Sequence, residues 1–251
     1  MGYIDVAGMQ VWHEVTGDGK PLVLLHGGFA SASSFFEQTP VLAAAGYRVY
    51  VPERRAHGHT RDVEGPITYS LMADDTIAYL ETAVREPAHL IGWSDGAVVA
   101  LLVALRRPEL LNRMVLIGQY YNSSGKTENP LTDELLNLDA EVTGFLREMY
   151  AAESPDGAEH FPVVHAKMVE MFRTEPELDL ESLRGVATPT LVLQGDRDEV
   201  TVEHSQAVAG VLANGRLAVL PGTHMLPLES PEVLNALLVS FLHGDPPEPG
   251  F

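Results

Sequence analysis

Apolar positions along the chain form short continuous runs separated by longer segments with helical spacing. The short runs are typical of strands in a buried parallel sheet and occupy residues 22–25, 48–51, 88–93, 114–117, 190–193 and 216–220. Helical spacing is found at residues 34–45, 69–85, 95–106, 203–212 and 231–243. Two β-like runs at 3–6 and 9–15 predict a hairpin ahead of this alternation. Strands alternating with helices predict an α/β fold, with a mostly parallel central sheet and helices on both faces.

The alternation stops between residues 120 and 185, where no strand is predicted. Two helices are predicted in that segment, near 132–150 and 158–174. We interpret the segment as a helical cap inserted into a single domain, whose core comprises residues 1–119 and 186–251. The proline-rich segment 245–250 cannot continue a helix and is expected to be mobile.

Composition narrows the class of protein. The 251 residues carry a net charge of −19, which disfavours nucleic acids and anionic membrane surfaces as partners. The absence of cysteine excludes disulfides, thiolate metal sites and cysteine nucleophiles. No apolar run approaches the roughly 18 residues of a membrane span, and no signal-peptide pattern is visible at the start. We therefore expect a cytoplasmic protein, either a monomer or a homodimer, that acts on a small molecule.

The strongest chemical signal is the pentapeptide Gly92-Trp93-Ser94-Asp95-Gly96, which stands between a predicted strand and a predicted helix. In that setting, G-x-S-x-G is typical of a tight turn that lifts the serine hydroxyl above the sheet, and only small residues fit around it. The helix that follows points its first N–H groups toward the reacting atom. Ser94 is therefore the candidate nucleophile.

A serine nucleophile needs a base, and the base needs an acid that orients it. Ligands of parallel sheets bind beyond the carboxyl ends of the strands, so both partners are expected in loops that follow strands. The loop after the penultimate predicted strand offers Asp196 and Asp198, and the loop after the last one contains His224. The order Ser, Asp, His predicts that His224 activates Ser94 with the help of one of the two aspartates.

These features resemble the α/β-hydrolase family over nearly the full length of the chain. The resemblance selects Asp198 as the acid, because it precedes the short stretch Glu199-Val200, and assigns Asp196 to the turn. It also implies a nucleophilic mechanism in which Ser94, Asp198 and His224 are the catalytic residues.

The stretch His26-Gly27-Gly28-Phe29 resembles the H-G-x signature of the same family. That match implies an oxyanion hole made by the backbone N–H groups of Gly28 and Asp95, with Phe29 as the near alternative to Gly28. It also implies that His26 supports the loop and takes no part in the chemistry.

Residues 52–60 resemble the family stretch P-D-x-R-G-H-G-x-S, with Glu53, Ala56 and Thr60 in place of Asp, Gly and Ser. In the family this loop supports the fold. Its segment His57-Gly58-His59, together with Asp62, suggests a metal cluster, but a third histidine is missing nearby. We therefore expect neither a metal nor a cofactor.

Asp95 stands where only a backbone N–H is required, and a carboxylate beside an oxyanion hole is electrostatically unfavourable. The G-W-S-D-G string is similar to that of α-amino-acid ester hydrolases of the valacyclovir hydrolase type, in which the aspartate is thought to receive the ammonium group of the substrate. The alternative is that Asp95 turns away and bonds a neighbouring backbone group or arginine. The candidate substrate-contacting residues are Phe29, Trp93, Asp95, Tyr120 and Phe145.

The resemblance implies a serine hydrolase that cleaves small carboxylic esters through an acyl-enzyme. The same three residues are compatible with hydrolysis of α-amino-acid esters, lactones or carbon–carbon bonds, and with cofactor-free perhydrolysis. A ligand receptor without turnover is the alternative outside catalysis.

Overall fold

The computed structural model of the chain describes residues 1–127 and 130–244 and is built around one eight-stranded sheet. The strands are β1 (Gly2–Val6), β2 (Met9–Thr16), β3 (Lys20–Leu25), β4 (Tyr47–Pro52), β5 (Ala88–Trp93), β6 (Leu111–Ile117), β7 (Thr190–Arg197) and β8 (Gly215–Thr223). Their order across the sheet is β1-β2-β4-β3-β5-β6-β7-β8. The β1–β2 hairpin is antiparallel and joins β4 in an antiparallel pair, whereas the neighbours from β4 to β8 are parallel.

Helices follow most of the strands. They are α1 (Gln38–Ala44), α2 (Tyr69–Tyr79), α3 (Asp95–Arg106), α4 (Pro130–Leu135), α5 (Glu141–Glu153), α6 (Phe161–Thr174), α7 (Val202–Val211), α8 (Leu226–Glu229) and α9 (Pro231–His243). Helices α3 and α9 have the predicted bounds, while the helix predicted over 34–45 is shorter and is preceded by a 3-10 turn at Ala32–Phe35. The predicted fold class, a mostly parallel sheet with helices on both faces, is confirmed.

Side chains of each central strand alternate between two hydrophobic cores. Leu22 and Leu24 of β3 pack on the side of α1 and α9, while Val23 and Leu25 pack on the side of α2 and α3. Because both faces of the sheet are covered, successive positions in the middle of such a strand are apolar, and this explains the continuous runs in the sequence.

The inserted segment between β6 and β7 carries α4, α5 and α6. The single helix predicted over 132–150 is two helices, because the side chain of Asn137 accepts the backbone N–H of Asp139 and closes a turn between α4 and α5. In the described part of the segment, Lys126 pairs with Val200 in one isolated β-bridge, and no strand is formed there. The division of the chain into a core and a separate cap at residues 120 and 185 stays a prediction.

Two further expectations concern membranes and the end of the chain. None of the described helices combines the length and the apolar character that crossing a bilayer requires. The expectation for the segment 245–250 lies outside the described residues.

Candidate active site

Ser94 lies at a sharp turn between β5 and α3, in a left-handed backbone conformation with φ 55° and ψ −121°. This conformation is strained for any residue with a side chain, so the surrounding structure must hold it. A Cβ atom on Gly92 would overlap the backbone of Gly96, and one on Gly96 would overlap the carbonyl group of Leu25. The need for glycine on both sides of Ser94 is therefore steric.

The structure brings Ser94, His224 and Asp198 into one hydrogen-bonded row at the carboxyl edge of the sheet. His224 Nε2 lies 2.8 Å from Ser94 Oγ, and His224 Nδ1 lies 2.7 Å from Asp198 Oδ1. Because an ionised carboxylate can only accept, the Nδ1–H group donates to Asp198, and Nε2 is left to accept the Ser94 hydroxyl proton. In this arrangement an imidazole can remove a proton from a serine hydroxyl.

Asp198 is buried and is fixed by the backbone of its own loop. Its Oδ1 also accepts the N–H of Val200 at 3.2 Å. The other aspartate of the loop, Asp196, accepts the N–H of Gly222 at 2.9 Å and supports the turn. Burial lowers the pKa of His224, but the hydrogen bond and the charge of Asp198 outweigh it, so the pKa is raised above its ordinary value. The Asp198 carboxylate therefore favours the charged imidazolium.

Trp93 and Gly118 hold His224 in position. The Trp93 Nε1–H group donates to the His224 carbonyl oxygen at 2.8 Å, and the indole is buried in the core on the α1 and α9 side. Gly118, with φ 60°, leaves room for the imidazole, because a Cβ atom there would lie 2.8 Å from His224 Nδ1. Trp93 thus supports the His224 loop, and its suggested contact with substrate stays a prediction.

The loop after β3 lies over the serine, since a Cβ atom on Gly27 would be 3.4 Å from the Cβ atom of Ser94. Both ring nitrogens of His26 are engaged in holding this loop. Its Nδ1–H donates to the Gly27 carbonyl at 2.8 Å, and its Nε2 accepts the backbone N–H of Arg54 at 3.2 Å. Burial and the neighbouring charge of Arg54 keep the pKa of His26 well below its ordinary value. His26 is thus a neutral structural residue.

The two residues expected to donate to an oxyanion, Gly28 and Asp95, lie against each other. A Cβ atom on Gly28 would overlap Asp95 Oδ2. The backbone N–H of Asp95 opens α3, and the first N–H groups of a helix have no carbonyl partner within that helix. An oxyanion hole formed by both N–H groups stays a prediction.

Asp95 is 2% exposed, and no hydrogen bond joins its side chain to an arginine among the described residues. Its Oδ1 accepts the Tyr69 hydroxyl at 2.7 Å, while Oδ2 has no hydrogen-bond partner among the described residues. Burial raises the pKa of Asp95, although the charge of Arg54 and the hydrogen bond from Tyr69 partly counteract it. A buried carboxylate oxygen without a partner therefore lies beside the candidate nucleophile.

Tyr69 and Lys126 belong to this environment, and sequence reasoning missed both. The hydroxyl groups of Tyr69 and Tyr120 are 3.0 Å apart, and Lys126 Nζ lies 4.6 Å from the centre of the Tyr120 ring. Tyr120, a predicted substrate contact, thus reaches Asp95 through Tyr69. Tyr69 opens α2 and Lys126 follows a short turn, and neither setting carries a chemical signal in the sequence.

Phe29 joins the core to the inserted helices. Its ring centre lies 5.8–6.2 Å from the ring centres of three residues of α6, namely Phe161, His165 and Phe172. Phe145 of α5 is 61% exposed. The expectation that Phe145 contacts substrate stays a prediction, because helical spacing alone does not tell which face of α5 is turned inward.

The residues of the suggested metal cluster around Asp62 have other partners. Asp62 accepts hydrogen bonds from Lys167 Nζ at 2.7 Å and from His160 Nε2 at 2.8 Å, and His57 is paired with the Arg55 carbonyl at 2.8 Å. Lysine competes with a metal for the same carboxylate oxygens. This region therefore serves as a polar contact between the core and the inserted helices.

Glu53, His59 and Glu153 lie closer together, with potential ligand atoms within 4.8 Å of one another among the described residues. The Glu53 carboxylate, however, already accepts the backbone N–H groups of Ala32 at 3.2 Å and His59 at 2.5 Å. Gly58 allows this wrapping, because a Cβ atom there would overlap the carboxylate. Glu53 thus fastens its loop, as expected for its place in that stretch.

Several known proteins are similar to this chain over nearly its full length. The chain is 28% identical to the pyrrolizixenacetamide deacetylase of Xenorhabdus hominickii, over 96% of this chain and 98% of the relative. It is 26% identical to the human serine hydrolase BPHL, over 95% of this chain and 85% of the relative. The fold superposes on a variant of the meta-cleavage product hydrolase CumD from Pseudomonas fluorescens IP01 with a TM-score of 0.78 and 22% identity, over 96% and 97% of the two chains. Residues 22–237 match the model of the "Alpha/beta hydrolase family", and the chain belongs to that family.

Proposed function

We propose that this member of the α/β hydrolases is a serine hydrolase that cleaves small carboxylic esters through an acyl-enzyme. The observation that carries the proposal is the row formed by Ser94, His224 and Asp198, with contacts of 2.8 and 2.7 Å. The strained backbone of Ser94 supports it, because the strain presents the hydroxyl to the open side of the turn.

In the first half of the reaction, Ser94 Oγ attacks the ester carbonyl carbon while His224 Nε2 takes its proton. The resulting oxyanion accepts the backbone N–H groups of Gly28 and Asp95. When the intermediate collapses, His224 gives the proton to the departing alcohol. In the second half, His224 activates water, which attacks the acyl carbon and releases the acid and Ser94. Asp198 stabilises the imidazolium in both halves.

The test is hydrolysis of p-nitrophenyl acetate and butyrate by the wild type and by Ser94→Ala, each with and without a chelator. We expect rapid wild-type turnover that the chelator leaves unchanged, and a loss of about 10³-fold or more in Ser94→Ala. Ser182→Ala, which removes an exposed hydroxyl bonded to the Asp179 carbonyl, is the matched control. Equal rates for wild type and Ser94→Ala would contradict the proposal and favour a ligand receptor or another reaction.

A second candidate is an esterase for substrates that carry a cationic group near the acyl carbon, such as α-amino-acid esters. The specific observation in its favour is the unpartnered, buried Oδ2 of Asp95 beside Gly28. An ammonium group would supply the missing donor and the opposite charge. Asp95→Asn should then lower kcat/KM for amino-acid esters more than for neutral esters of the same size. An unchanged preference between the two substrates would remove this candidate.

A further inference from the structure

The peptide group between Gly27 and Gly28 is held from behind by two donors. The Gly27 carbonyl oxygen accepts Arg54 Nη2 at 2.9 Å and His26 Nδ1 at 2.8 Å. A trans peptide is planar, and its C=O and N–H groups point in opposite directions. Donors that fix the Gly27 carbonyl therefore also fix the direction in which the Gly28 N–H points.

Arg54 is built into the loop and does not reach in from the surface. The residue is 4% exposed, and its Nη2 also donates to the His26 carbonyl oxygen at 2.6 Å. Its own backbone N–H is bonded to His26 Nε2. One guanidinium thus binds two consecutive carbonyl groups, those of His26 and Gly27, at the base of the loop.

The charge of Arg54 adds to this positional effect. A guanidinium stays protonated in proteins, and the Asp95 carboxylate provides an opposite charge in the same buried region. A cation bonded to a carbonyl oxygen polarises the whole peptide group, and hydrogen bonds that share a polarised group strengthen one another. The N–H at the other end of that peptide, on Gly28, becomes a stronger donor.

Arg54 is not the arginine that the family stretch specifies. In P-D-x-R-G-H-G-x-S the arginine aligns with Arg55, and Arg54 takes the open position. Arg55 has a different partner, because its guanidinium pairs with Asp75 at 2.7 and 2.8 Å. The two neighbouring arginines thus allow a matched comparison.

We propose that Arg54 is a positioning residue that orients and polarises the Gly28 N–H for oxyanion binding, through the Gly27 carbonyl. The inference rests on the proposed function, since it assigns Arg54 to the oxyanion step of that reaction. Arg54 acts only when negative charge develops on the carbonyl oxygen, so it affects the transition state more than the bound substrate.

The test compares p-nitrophenyl acetate with its thiono analogue, in which sulfur replaces the carbonyl oxygen and accepts hydrogen bonds weakly. In Arg54→Met, kcat for the oxygen ester should fall about 10- to 100-fold with KM nearly unchanged, a smaller loss than the ~10²–10³-fold caused by deleting an oxyanion donor. The kcat for the thiono ester should fall by a smaller factor, so the ratio of kcat between the oxygen ester and the thiono ester should decrease. Arg54→Lys keeps the charge and should recover part of both kcat and the preference.

Arg55→Met is the control, because it also removes a guanidinium from this loop but leaves the Gly27 carbonyl bonded. Arg55→Met should lower kcat by the same factor for the oxygen ester and the thiono ester. The inference would be overturned if Arg54→Met lowered kcat by the same factor for both esters, or if it changed KM alone. If Arg54→Met does not fold, Arg54→Gln, which also removes the charge, is measured in its place, and a wild-type oxygen-to-sulfur preference in Arg54→Gln would overturn the inference. Ser94→Ala is measured alongside. Wild-type turnover in Ser94→Ala would overturn the proposed function and the inference with it. An inactive Ser94→Ala, together with an unchanged oxygen-to-sulfur preference in Arg54→Met, would refute the inference alone.

Discussion

The Asp95 carboxylate occupies the space that a side chain on Gly28 would need. A Cβ atom on Gly28 would overlap Asp95 Oδ2 and lie 3.0 Å from Phe172 Cζ. Asp95 is 2% exposed and is tied to Tyr69, so its carboxylate cannot move aside without breaking that hydrogen bond. Glycine at 28 and aspartate at 95 therefore depend on each other, although they belong to different sequence motifs.

Gly28→Ala should lower both stability and activity because the new methyl group displaces the Asp95 carboxylate. We expect a loss of about 1–3 kcal/mol in the free energy of unfolding, as for other overpacked sites. In the background of Asp95→Ala the same substitution should cost much less, which urea unfolding of the four proteins measures as a coupling energy. Equal costs in both backgrounds would show that the two residues do not compete for space.

Asp95→Asn should stabilise the protein increasingly as the pH rises. Burial raises the pKa of Asp95, so the folded wild type holds its proton to a higher pH than the unfolded chain. Wild-type stability therefore falls as the pH increases from the unfolded pKa to the raised folded pKa. The asparagine keeps the acceptor for Tyr69 and does not titrate. Urea unfolding across pH 4 to 8 measures the difference in the free energy of unfolding between Asp95→Asn and the wild type. A difference that does not change with pH would contradict a raised pKa of Asp95.

The order of the fold and the central part of the site could be predicted because they depend on local patterns. The run at 88–93 and the helix at 95–106 bracket Ser94 at the predicted positions, and His224 follows the last strand. Their meeting follows from the rule that the carboxyl ends of parallel strands share one edge.

The surroundings of the site could not be predicted in the same way, because side-chain direction is decided by tertiary packing. Trp93 and Phe145 carry rings suited to substrate binding, but one is buried under His224 and the other faces solvent. Tyr69 and Arg54 reach the site from loops and helix ends that are distant in sequence from Ser94. Only the assembled sheet brings them together.

The rate of ester hydrolysis should fall in acid with a midpoint above the ordinary pKa of histidine. The Asp198 hydrogen bond and charge raise the pKa of His224 against the effect of burial, and His224 accepts the Ser94 proton only when neutral. Asp198→Asn should move the acidic limb to lower pH while reducing kcat by about 10³-fold or more. Asp196→Asn should leave the limb in place. A pH profile of kcat/KM for each protein checks this, and an identical limb in Asp198→Asn would contradict the assignment of the acid.

Gly118→Ala should abolish most activity with only a moderate loss of stability. The added methyl group would lie 2.8 Å from the His224 ring and 3.2 Å from Asp198 Oδ2, so the ring must move away from Ser94. A displacement near 1 Å can cost about 10²-fold in rate. Gly8→Ala is the control, because Gly8 also has positive φ but has open space around it. Thermal unfolding should show a similar backbone cost in both variants, and normal activity in Gly118→Ala would show that the ring is not confined there.

Asp62→Asn should loosen the contact between the core and the inserted helices. The Asp62 side chain is 7% exposed and accepts hydrogen bonds from Lys167 and His160, which both belong to the inserted segment. Burial raises the pKa of Asp62, but these two hydrogen bonds outweigh it and lower the pKa overall, so the stabilisation is present above the unfolded pKa and is lost as the pH falls. We expect a loss of about 1–3 kcal/mol at pH 7 that becomes smaller as the pH falls through the lowered pKa of Asp62.

Asp74→Asn is the control for that loss, because Asp74 pairs with Arg106 at 2.6 Å on an exposed surface and should cost at most ~1 kcal/mol. Amide hydrogen exchange locates the effect. Amide exchange in α6 should accelerate in Asp62→Asn. In α3, whose residues are mostly buried against the sheet, exchange should accelerate only as much as the overall loss of stability requires. Uniform acceleration throughout the chain would mean that Asp62 stabilises the whole domain and that the inserted helices do not open on their own.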